Sequence, residues 1–226
     1  MKPTKEYNGR SRIRMFNIDC ESYMNICREN HYQLAIVDPP YGIDLTNQSQ
    51  GKGGGVAKKN DYHVTDWDKN APNKDYFDLL FHKTENQILW GANHYISKIP
   101  IDSSCWIVWD KVNGDSDFAD CELAWTSFKT ATRKVKNKWA GMLQHDMKNK
   151  QARIHPTEKP IQLYKWLLTN YANEGDTILD THGGSLSIAI ACWDLGFDLD
   201  VCELDADYFN DAVKRFEQHI SQTQLF

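Results

Sequence analysis

The chain lacks the features of several protein classes. Among its 226 residues no apolar run approaches the ~20 residues that cross a membrane, and the polar, basic residues 1–14 contain no apolar core of a secretory signal. The six cysteines form no Cys-x-x-Cys pair, and Cys105, Cys192 and Cys202 lie in apolar runs. We interpret these three as reduced core residues, not as zinc ligands or disulfides. The sequence therefore favours a cytoplasmic, intracellular protein with no membrane partner and no metal.

Positive charge over the whole chain is also absent. The formal net charge is −5, which argues against a protein coated in positive charge for nucleic acid. The basic segment, residues 129–153, differs because it contains eight basic residues and one acidic residue, with Trp139 and His145 interleaved. We interpret it as a patch that contacts phosphates, with a solvated face as the alternative. Its candidate substrate contacts include Lys129, Arg133, Lys134, Lys136 and Lys138.

The remaining composition is that of an ordinary globular protein, with 41% hydrophobic and 25% charged residues. The length suits one domain with a sizeable core, so we expect a single domain over residues 1–226. After a flexible lead-in at 1–12, apolar periodicity predicts strands at 13–18, 34–37, 87–90, 105–109, 123–128, 177–179 and 198–202. It predicts helices at 21–30, 75–82, 161–171, 188–195 and 207–220. This alternation implies an α/β fold with a mostly parallel sheet.

One predicted strand, Leu34-Ala35-Ile36-Val37, runs directly into Asp38-Pro39-Pro40-Tyr41. Each proline fixes its own φ and removes a backbone donor, so the turn is stiff and its carbonyls point outward. Such a turn suits a flat ring that carries an amino group, because the Asp38 carboxylate and the Pro39 carbonyl can accept both amine hydrogens. Those two contacts draw the lone pair back onto the nitrogen, while Tyr41 stacks on the ring. The alternative is a strand-ending turn with an incidental aspartate.

Four predicted strands end in an acidic residue, namely Asp19, Asp38, Asp180 and Glu203. In open α/β sheets ligands bind outside the carboxyl ends of the strands, so we expect all four acids on one rim. Residues 180–185 read Asp-Thr-His-Gly-Gly-Ser before a helix, which brings backbone N–H groups close to a ligand. Glu203 could accept both hydroxyls of a ribose. A dinucleotide site stays open as an alternative, although Gly-x-Gly-x-x-Gly is absent.

Together these residues resemble the amino-group DNA methyltransferases that use S-adenosylmethionine. Asp38-Pro39-Pro40-Tyr41 looks like their catalytic motif, and residues 180–185 are similar to their cofactor motif, usually Asp-Pro-Phe-x-Gly-Ser-Gly. Glu203 matches the acid that holds the cofactor ribose, and Asp19 and Cys20 match the pair that flanks its adenine. Three further blocks are similar to family segments: His155-Pro156-Thr157-Glu158-Lys159-Pro160, Leu89-Trp90-Gly91-Ala92-Asn93 and Leu123-Ala124-Trp125-Thr126-Ser127.

The resemblance covers residues 13–216, with the catalytic motif before the cofactor motif, which is the beta-type order of the family. It implies a Rossmann-like methyltransferase sheet with circularly permuted motif order, S-adenosylmethionine as cofactor and DNA as partner. The implied catalytic residues are Asp38, Pro39, Pro40 and Tyr41. The implied cofactor-binding residues are Asp19, Cys20, Asp38, His155, Thr157, Lys159, Pro160, Asp180, Thr181, His182, Gly183, Gly184, Ser185, Glu203 and Leu204.

The resemblance also implies the reaction, which is methylation of adenine N6 in a base flipped out of the duplex. Asp as the first motif residue favours adenine over cytosine, and Tyr41 and Trp67 are the expected base contacts. Target recognition is expected within residues 42–72 and 111–153. A bacterial or phage-like restriction–modification role, as a monomer or homodimer, completes the expectation. Residue Leu186 departs from the family glycine and is expected to crowd the backbone's approach to the methionine moiety.

Several alternatives remain open from the sequence. Leu186, with Thr181 and His182 in place of Pro-Phe, fits a weak or inactive relative that binds nucleic acid without catalysis. The intact Asp38 turn argues against that hypothesis. A glutamine-amide methyltransferase is a further alternative, although that family usually carries Asn at the start of the motif. Cytosine N4 as the methylated atom and RNA as the substrate are not excluded.

Overall fold

The computed structural model describes residues 1–44, 68–114, 119–140, 143–148, 150 and 153–223. Its strands are β1 (Lys5–Asn8), β2 (Arg12–Phe16), β3 (Tyr32–Val37), β4 (Thr84–Trp90), β5 (Trp106–Asp110), β6 (Cys121–Thr126), β7 (Arg133–Lys136), β8 (Trp139–Ala140), β9 (Leu143–Gln144), β10 (Thr177–Asp180) and β11 (Asp198–Cys202). Its helices are α1 (Cys20–Ile26), α2 (Lys74–Lys83), α3 (Ile161–Tyr171), α4 (Ser187–Leu195) and α5 (Ala206–Thr223). Within these residues, no helix has the length and apolar character needed to cross a membrane.

Nine of the strands form one sheet in the order β1-β2-β11-β10-β3-β4-β6-β5-β7, and β8 pairs with β9 separately. The five neighbours from β2 to β4 pair in parallel. Strand β6 is antiparallel to both β4 and β5, and β7 is parallel to β5, so β5 and β7 run in the same direction as β4. The carboxyl ends of these parallel strands therefore lie along one edge, which we call the carboxyl rim. The mostly parallel α/β sheet predicted from the sequence is confirmed.

The sheet is buried on both faces by helices. Successive side chains of a strand point to opposite faces, and β3 follows this rule: Leu34 and Ile36 belong to the core covered by α3, α4 and α5. Ala35 and Val37 belong to the core covered by α1 and α2. Strands buried on both faces read as continuous apolar runs, which explains why they were predictable from the sequence. The result is a three-layer α/β arrangement.

One prediction about the edge strands of the sheet is wrong, and one edge strand was not predicted. The first twelve residues are not a flexible lead-in, because β1 pairs antiparallel with β2 and the Tyr7 ring packs 5.0 Å from the Phe216 ring. The Tyr7 hydroxyl also donates to Glu217 of α5 at 2.6 Å. The strand that was not predicted is β7, inside the basic segment. Three of its four residues are cationic, which suits an exposed edge strand but hides it from an apolar pattern.

A buried carboxylate ties β11 to its surroundings. Asp200 is 1% exposed and accepts two hydrogen bonds from the Arg14 guanidinium of β2, at 2.6 and 2.5 Å. The hydroxyls of Tyr23 and Tyr32 donate to the same carboxylate at 2.6 Å. A buried charge is tolerated only when it is paired and hydrogen-bonded, and Asp200 meets both conditions. This cluster fixes β2 and α1 against the middle of the sheet.

We predict that Asp200→Ala destabilises the fold by about 3–5 kcal/mol, because it leaves the half-buried Arg14 guanidinium and two buried hydroxyls without their acceptor. The matched control is Asp198→Ala, two residues earlier on β11, whose ion pair with Arg12 is exposed. An exposed pair contributes at most about 1 kcal/mol. Urea unfolding of both variants measures the difference. Equal losses would contradict the assigned role of the Asp200 cluster.

Candidate active site

The turn after β3 stands at the carboxyl rim. Pro39 is buried, and Asp38, Pro40 and Tyr41 are half-buried. The backbone N–H groups of Tyr41 and Gly42 donate to the Asp68 carboxylate at 2.8 and 3.2 Å. Asp68 is 1% exposed, so a buried acid fixes the far end of the turn. The two prolines stiffen the chain and Asp68 anchors it, so the orientation of Asp38 and Tyr41 is set by the backbone.

The Tyr41 ring rests on the backbone of Gly91, the residue that follows β4. A Cβ atom at Gly91 would lie 2.1 Å from the ring, and the φ of Gly91 is +69°. Both observations require glycine at this position. The His94 ring stacks on Tyr41, with centroids 5.1 Å apart and planes 14° apart. The aromatic surface of Tyr41 therefore belongs to a small stack of planar groups at the rim.

Four charged side chains meet beside this ring in an alternating chain, which we call the charge tetrad: Asp38, Lys159, Glu122 and Lys111. The Lys159 ammonium lies 2.5 Å from Asp38 Oδ2 and 3.1 Å from Glu122 Oε2. Lys111 lies 2.5 Å from Glu122 Oε1. The Tyr41 hydroxyl donates to Asp38 Oδ1 at 2.6 Å and accepts from Lys159 at 3.1 Å. Both oxygens of Asp38 are therefore engaged.

The tetrad controls the ionisation of its members. Burial raises the pKa of Asp38, and Glu122 adds to this rise, whereas Lys159 and the Tyr41 hydroxyl oppose it. Burial would also raise the pKa of Glu122, but Lys159 and Lys111 outweigh it and lower that pKa to about 2. Burial disfavours the Lys159 ammonium, yet Asp38 and Glu122 raise the pKa of Lys159. The chain therefore holds a fixed cation against Asp38.

The glycine loop, residues 180–186, lies beside this turn because β10 pairs in parallel with β3. Its backbone packs directly on β11, since a Cβ at Gly183 would lie 2.7 Å from the Val201 side chain. The Gly184 N–H donates to Glu203 Oε2 at 2.7 Å, and the Asp205 N–H donates to Oε1 at 2.8 Å. Glu203 thus fixes the loop. Gly183 is therefore required by packing within the protein, against Val201 and Leu186.

Asp180 is a buried acid at the rim with a strongly raised pKa. It is 2% exposed and accepts a hydrogen bond from the His182 N–H at 3.0 Å. Burial raises the pKa of Asp180 to about 8, with Asp38 and Glu203 adding to the rise and the His182 N–H opposing it. Asp19, the fourth acid of the rim, accepts from the Ser22 N–H at 2.8 Å and caps α1. The predicted meeting of the four acids at one rim agrees with the strand order.

Thr181 and His182, which replace the family's Pro-Phe, have partners from α2. The Tyr76 hydroxyl and Thr181 Oγ1 are 2.6 Å apart, and Thr181 Oγ1 lies 2.9 Å from His182 Nδ1. The rings of Tyr76 and His182 meet edge to face at 5.6 Å. Burial lowers the pKa of His182 to about 4, so its imidazole is neutral at pH 7. A polar pair therefore takes the place of an apolar one, with its hydrogen bonds satisfied locally.

Leu186 adopts the left-handed backbone conformation, with a φ of +55°. Its side chain is 1% exposed and belongs to the core on the α3–α5 face of the sheet. A Cβ at Gly183 would lie 2.9 Å from the Leu186 side chain. The expected crowding therefore falls beneath the loop, on its core side, and the cost of Leu186 is backbone strain.

Residues 155–160 support the glycine loop from its other side. The His155 ring lies under Gly184, whose added Cβ would meet it at 3.6–3.7 Å, and burial lowers the pKa of His155 to about 4. Arg215 of α5 links the two segments, because it lies 3.0 Å from Glu158 and donates to the Ser185 carbonyl at 2.8 Å. Thr157 contacts His155 Nδ1 through its hydroxyl at 3.1 Å. The predicted cofactor segments thus contact each other.

Other predicted residues are separated from the site or fall outside it. Trp67 lies outside the described residues. In the basic segment, Lys136 ends β7 at the carboxyl rim and Lys138 follows it, whereas Arg133 begins β7 at the opposite edge, beyond which Lys129 lies. Lys134 pairs with Asp110 at 3.3 Å. Cys20 opens α1 at the rim and Leu204 is 70% exposed directly after Glu203.

Sequence reasoning missed three residues of the site: Glu122, Lys111 and His94. Two of them adjoin a recognised block, since Glu122 precedes Leu123 and His94 follows Asn93. A polar residue next to an apolar block was the available signal. Lys159 was assigned to the cofactor from its motif, and its ammonium lies on Asp38. Among the described residues, no group of three or more His, Cys, Asp or Glu side chains is placed to hold a metal ion.

We predict that Gly91→Ala forces the Tyr41 ring out of its position. The matched control is Gly175→Ala, because Gly175 also has a positive φ, +88°, but nothing lies within 4 Å of its added Cβ. The control loses only the backbone preference of glycine, about 1–2 kcal/mol. Gly91→Ala should lose more in urea unfolding, because it adds a clash to the same strain. Equal losses would contradict a rigid seat for Tyr41.

Comparison with solved structures finds the same fold in known proteins. The M1.HpyAVI–SAM complex aligns with a TM-score of 0.56 and 17% identity over 90% of this chain and 99% of that chain. TTHA0409 of Thermus thermophilus, a putative DNA modification methylase complexed with S-adenosyl-L-methionine, gives 0.57 and 17% over 91% and 95%. The cytosine-N4-specific PvuII DNA methyltransferase gives 0.58 and 12% over 92% and 90%. Comparison with curated protein sequences gives no significant match.

A protein-family model described as DNA methylase matches residues 67–214, well over half of the chain. The match includes β4, the tetrad residues Lys111, Glu122 and Lys159, the glycine loop and Glu203, and it begins after the Asp38 turn. Family assignment and fold agree with each other, and both agree with the resemblance carried by the sequence motifs. The chain belongs to the N6/N4 DNA methylase family.

Proposed function

We propose that this protein transfers a methyl group from S-adenosylmethionine to the exocyclic N6 of adenine in DNA, after the base has left the duplex. The observation that carries the proposal is the Asp38 turn, held at the carboxyl end of β3 next to the glycine loop of a DNA methylase chain. In an α/β sheet this rim is where ligands bind. The amine-binding turn and the cofactor loop therefore face a common space.

The residues around the glycine loop fit S-adenosylmethionine, the ligand named in the titles of two structural neighbours. When bound, this cofactor supplies a methyl group already activated on a positively charged sulfur. We propose that Glu203 accepts the ribose hydroxyls and that Asp19, Cys20 and Leu204 lie around the adenine. We assign the methionine end to Asp180, Thr181, His182, Gly183, Gly184 and Ser185, with His155, Thr157 and Pro160 supporting it, whereas the Lys159 ammonium is engaged by Asp38. Carboxylates at this edge favour a ligand with cationic and hydroxyl groups.

The Asp38 turn orients the target amine. An exocyclic amine is a poor nucleophile because its lone pair is delocalised into the ring. Acceptors at Asp38 and the Pro39 carbonyl hold both hydrogens and localise that lone pair on nitrogen. Oδ1 of Asp38 accepts the Tyr41 hydroxyl in this structure, and that hydroxyl also lies 3.5 Å from Glu122 Oε2. An amine hydrogen can therefore take its place on Oδ1 while Lys159 keeps Oδ2.

The choice of base follows from the first residue of the motif. Aspartate at position 38, rather than serine, favours adenine N6, and Tyr41 stacks on the extruded base. Cytosine N4 offers the same amine chemistry, and one structural neighbour is named as cytosine-N4-specific. The decisive measurement is the identity of the methylated base, with labelled cofactor, unmodified DNA and nucleoside analysis of the product.

We predict that Asp38→Ala nearly abolishes turnover and leaves cofactor affinity largely intact, because its contact matters most as the nitrogen becomes tetrahedral. Tyr41→Phe should be mild, since a phenyl ring still stacks, whereas Tyr41→Ala should lose roughly 1–3 kcal/mol of base stacking. Methylation kinetics and calorimetric titration with the cofactor separate the two effects. Turnover by Asp38→Ala at the wild-type rate would overturn the mechanism. Product found only on cytosine would overturn the choice of base and keep the mechanism.

The basic segment is proposed to contact DNA phosphates, and target recognition is proposed within residues 42–72 and 111–153 of a single domain. Lys136 and Lys138, at the carboxyl-rim end of β7, are the best placed of the cationic residues. Lys129, Arg133 and Lys134 would add contacts if the duplex runs along the outermost strand, β7. Phosphate contacts of this kind bind all sequences alike.

We predict that Lys136→Ala weakens DNA binding for all sequences and reduces the slope of log affinity against log salt by about one unit. Lys129→Ala is the matched control, because that exposed lysine lies toward the opposite edge of the sheet. Fluorescence anisotropy over a salt series gives both slopes. An unchanged salt slope for Lys136→Ala would show that this end of the basic segment is only a solvated surface. A reduced salt slope for Lys129→Ala would indicate that the duplex runs along β7.

A further inference from the structure

We infer that Lys159, held in place by Glu122, is a positioning residue that keeps Asp38 ionised and turns one chosen oxygen of its carboxylate toward the target amine. This inference rests on the proposed function, since it assigns the support of the amine-binding group. Glu122 belongs to none of the predicted motifs, and neither it nor Lys111 entered the proposal above as a supporting group.

Lys159 has no freedom to serve as a mobile charge. Its side chain is 2% exposed, and its ammonium contacts Asp38 Oδ2, Glu122 Oε2 and the Tyr41 hydroxyl. An ammonium has three hydrogens, so these three acceptors saturate it. The ammonium also lies over the Trp90 ring, 5.3 Å from its centroid. The ammonium is therefore fixed in place, and its contact with Glu122 helps to direct it toward Asp38.

Glu122 provides that external support. It sits on β6, two strands from β3, and its second oxygen is held by Lys111 at 2.5 Å. Lys159 and Lys111 lower the pKa of Glu122, which favours its anionic form. Glu122 and Asp38 together raise the pKa of Lys159, so Lys159 remains a cation next to Asp38.

The chemistry requires an ionised Asp38. The carboxylate form accepts an amine hydrogen at Oδ1 while Oδ2 accepts from Lys159, whereas a protonated carboxyl uses one of its two oxygens as a donor. The groups that face Asp38 come from every packed element: Tyr41 in the turn, Tyr95 after β4, Glu122 on β6, Lys159 before α3, Tyr164 on α3 and Asp180 on β10. Two of these are acids and one is a cation. Burial and the acids raise the pKa of Asp38, so Lys159 is the group that holds it in the ionised form.

The tetrad also selects which oxygen of Asp38 is available. Lys159 occupies Oδ2 and the Tyr41 hydroxyl occupies Oδ1. A hydroxyl on a half-buried ring is displaced more easily than an ammonium held at three points. Oδ1 is therefore the oxygen that receives the amine, and the Lys159–Oδ2 contact prevents the carboxylate from rotating during the exchange.

The test is the pH dependence of kcat at saturating cofactor and DNA, measured for the wild type, Lys159→Met and Glu122→Gln. Removing the cation leaves Asp38 among acids, so the acidic limb of Lys159→Met should move up by about 1–3 pH units. Removing the Glu122 charge removes a neighbour that raises the pKa of Asp38, so the limb of Glu122→Gln should move down. Lys159→Arg should restore part of the wild-type profile. Displacements of opposite sign are a signature that loss of packing alone does not give.

The matched control is Lys165→Met, which removes a lysine ion-paired with Asp194 on α4, away from the tetrad. Its pH profile should equal that of the wild type. Circular dichroism spectra check that each variant is folded. The inference would be overturned if the acidic limb of the kcat profile stayed in place in both variants, or moved in the same direction for Lys159→Met and Glu122→Gln.

A second readout does not depend on catalysis. In protein labelled with ¹³C at aspartate Cγ, the Asp38 resonance is identified by its loss in Asp38→Asn, and its titration is followed in the free protein. Lys159→Met should move that titration to higher pH and Glu122→Gln to lower pH. An Asp38 titration unmoved by Lys159→Met overturns the inference. A wild-type protein that methylates no DNA, but shows both displacements, would overturn the proposed function and leave the ionisation network standing.

Discussion

The shared direction of five neighbouring strands is the constraint on which the site depends. Parallel pairing from β2 to β4 places their carboxyl ends along one edge. Asp19, Asp38, Asp180 and Glu203 come from distant parts of the chain, yet each needs only to follow its strand to reach that edge. The order in which the chain visits the strands is unimportant for this result. A sequence with circularly permuted motifs can therefore build the same rim.

Carboxylates that lie close together at the carboxyl rim repel one another. The protein offsets this repulsion with a different partner for each acid. Asp38 faces a fixed ammonium, Glu203 accepts two backbone N–H groups, and Asp180 has a backbone N–H whose effect does not offset burial. Three carboxyl groups of similar intrinsic acidity thereby acquire three different characters. Asp38 faces a cation, Glu203 restrains a loop, and burial raises the pKa of Asp180 well above the usual range of a carboxyl group.

The sequence predicted the parts of this structure that depend on local pattern. Apolar runs marked the central strands because these are buried on both faces, and stiff or glycine-rich turns marked Asp38 and the glycine loop. Edge strands β1 and β7 escaped prediction, because exposure allows polar and charged residues that leave no apolar pattern. Glu122 and Lys111 escaped for another reason. Their importance arises only when β6 is laid beside β4, a pairing that no local pattern encodes.

Helix α5 holds two distant parts of the molecule at once. Glu217 receives the Tyr7 hydroxyl of the edge strand β1, and Arg215, on the same helix, reaches Ser185 in the glycine loop and Glu158. Local opening of a protein proceeds in cooperative units whose members are joined by such contacts. These contacts couple the edge strand and the glycine loop, so we expect both to lose hydrogen-exchange protection together when α5 lifts from the sheet. Occupancy of the loop by a ligand would, through the same helix, slow the fraying of an edge that the ligand never touches.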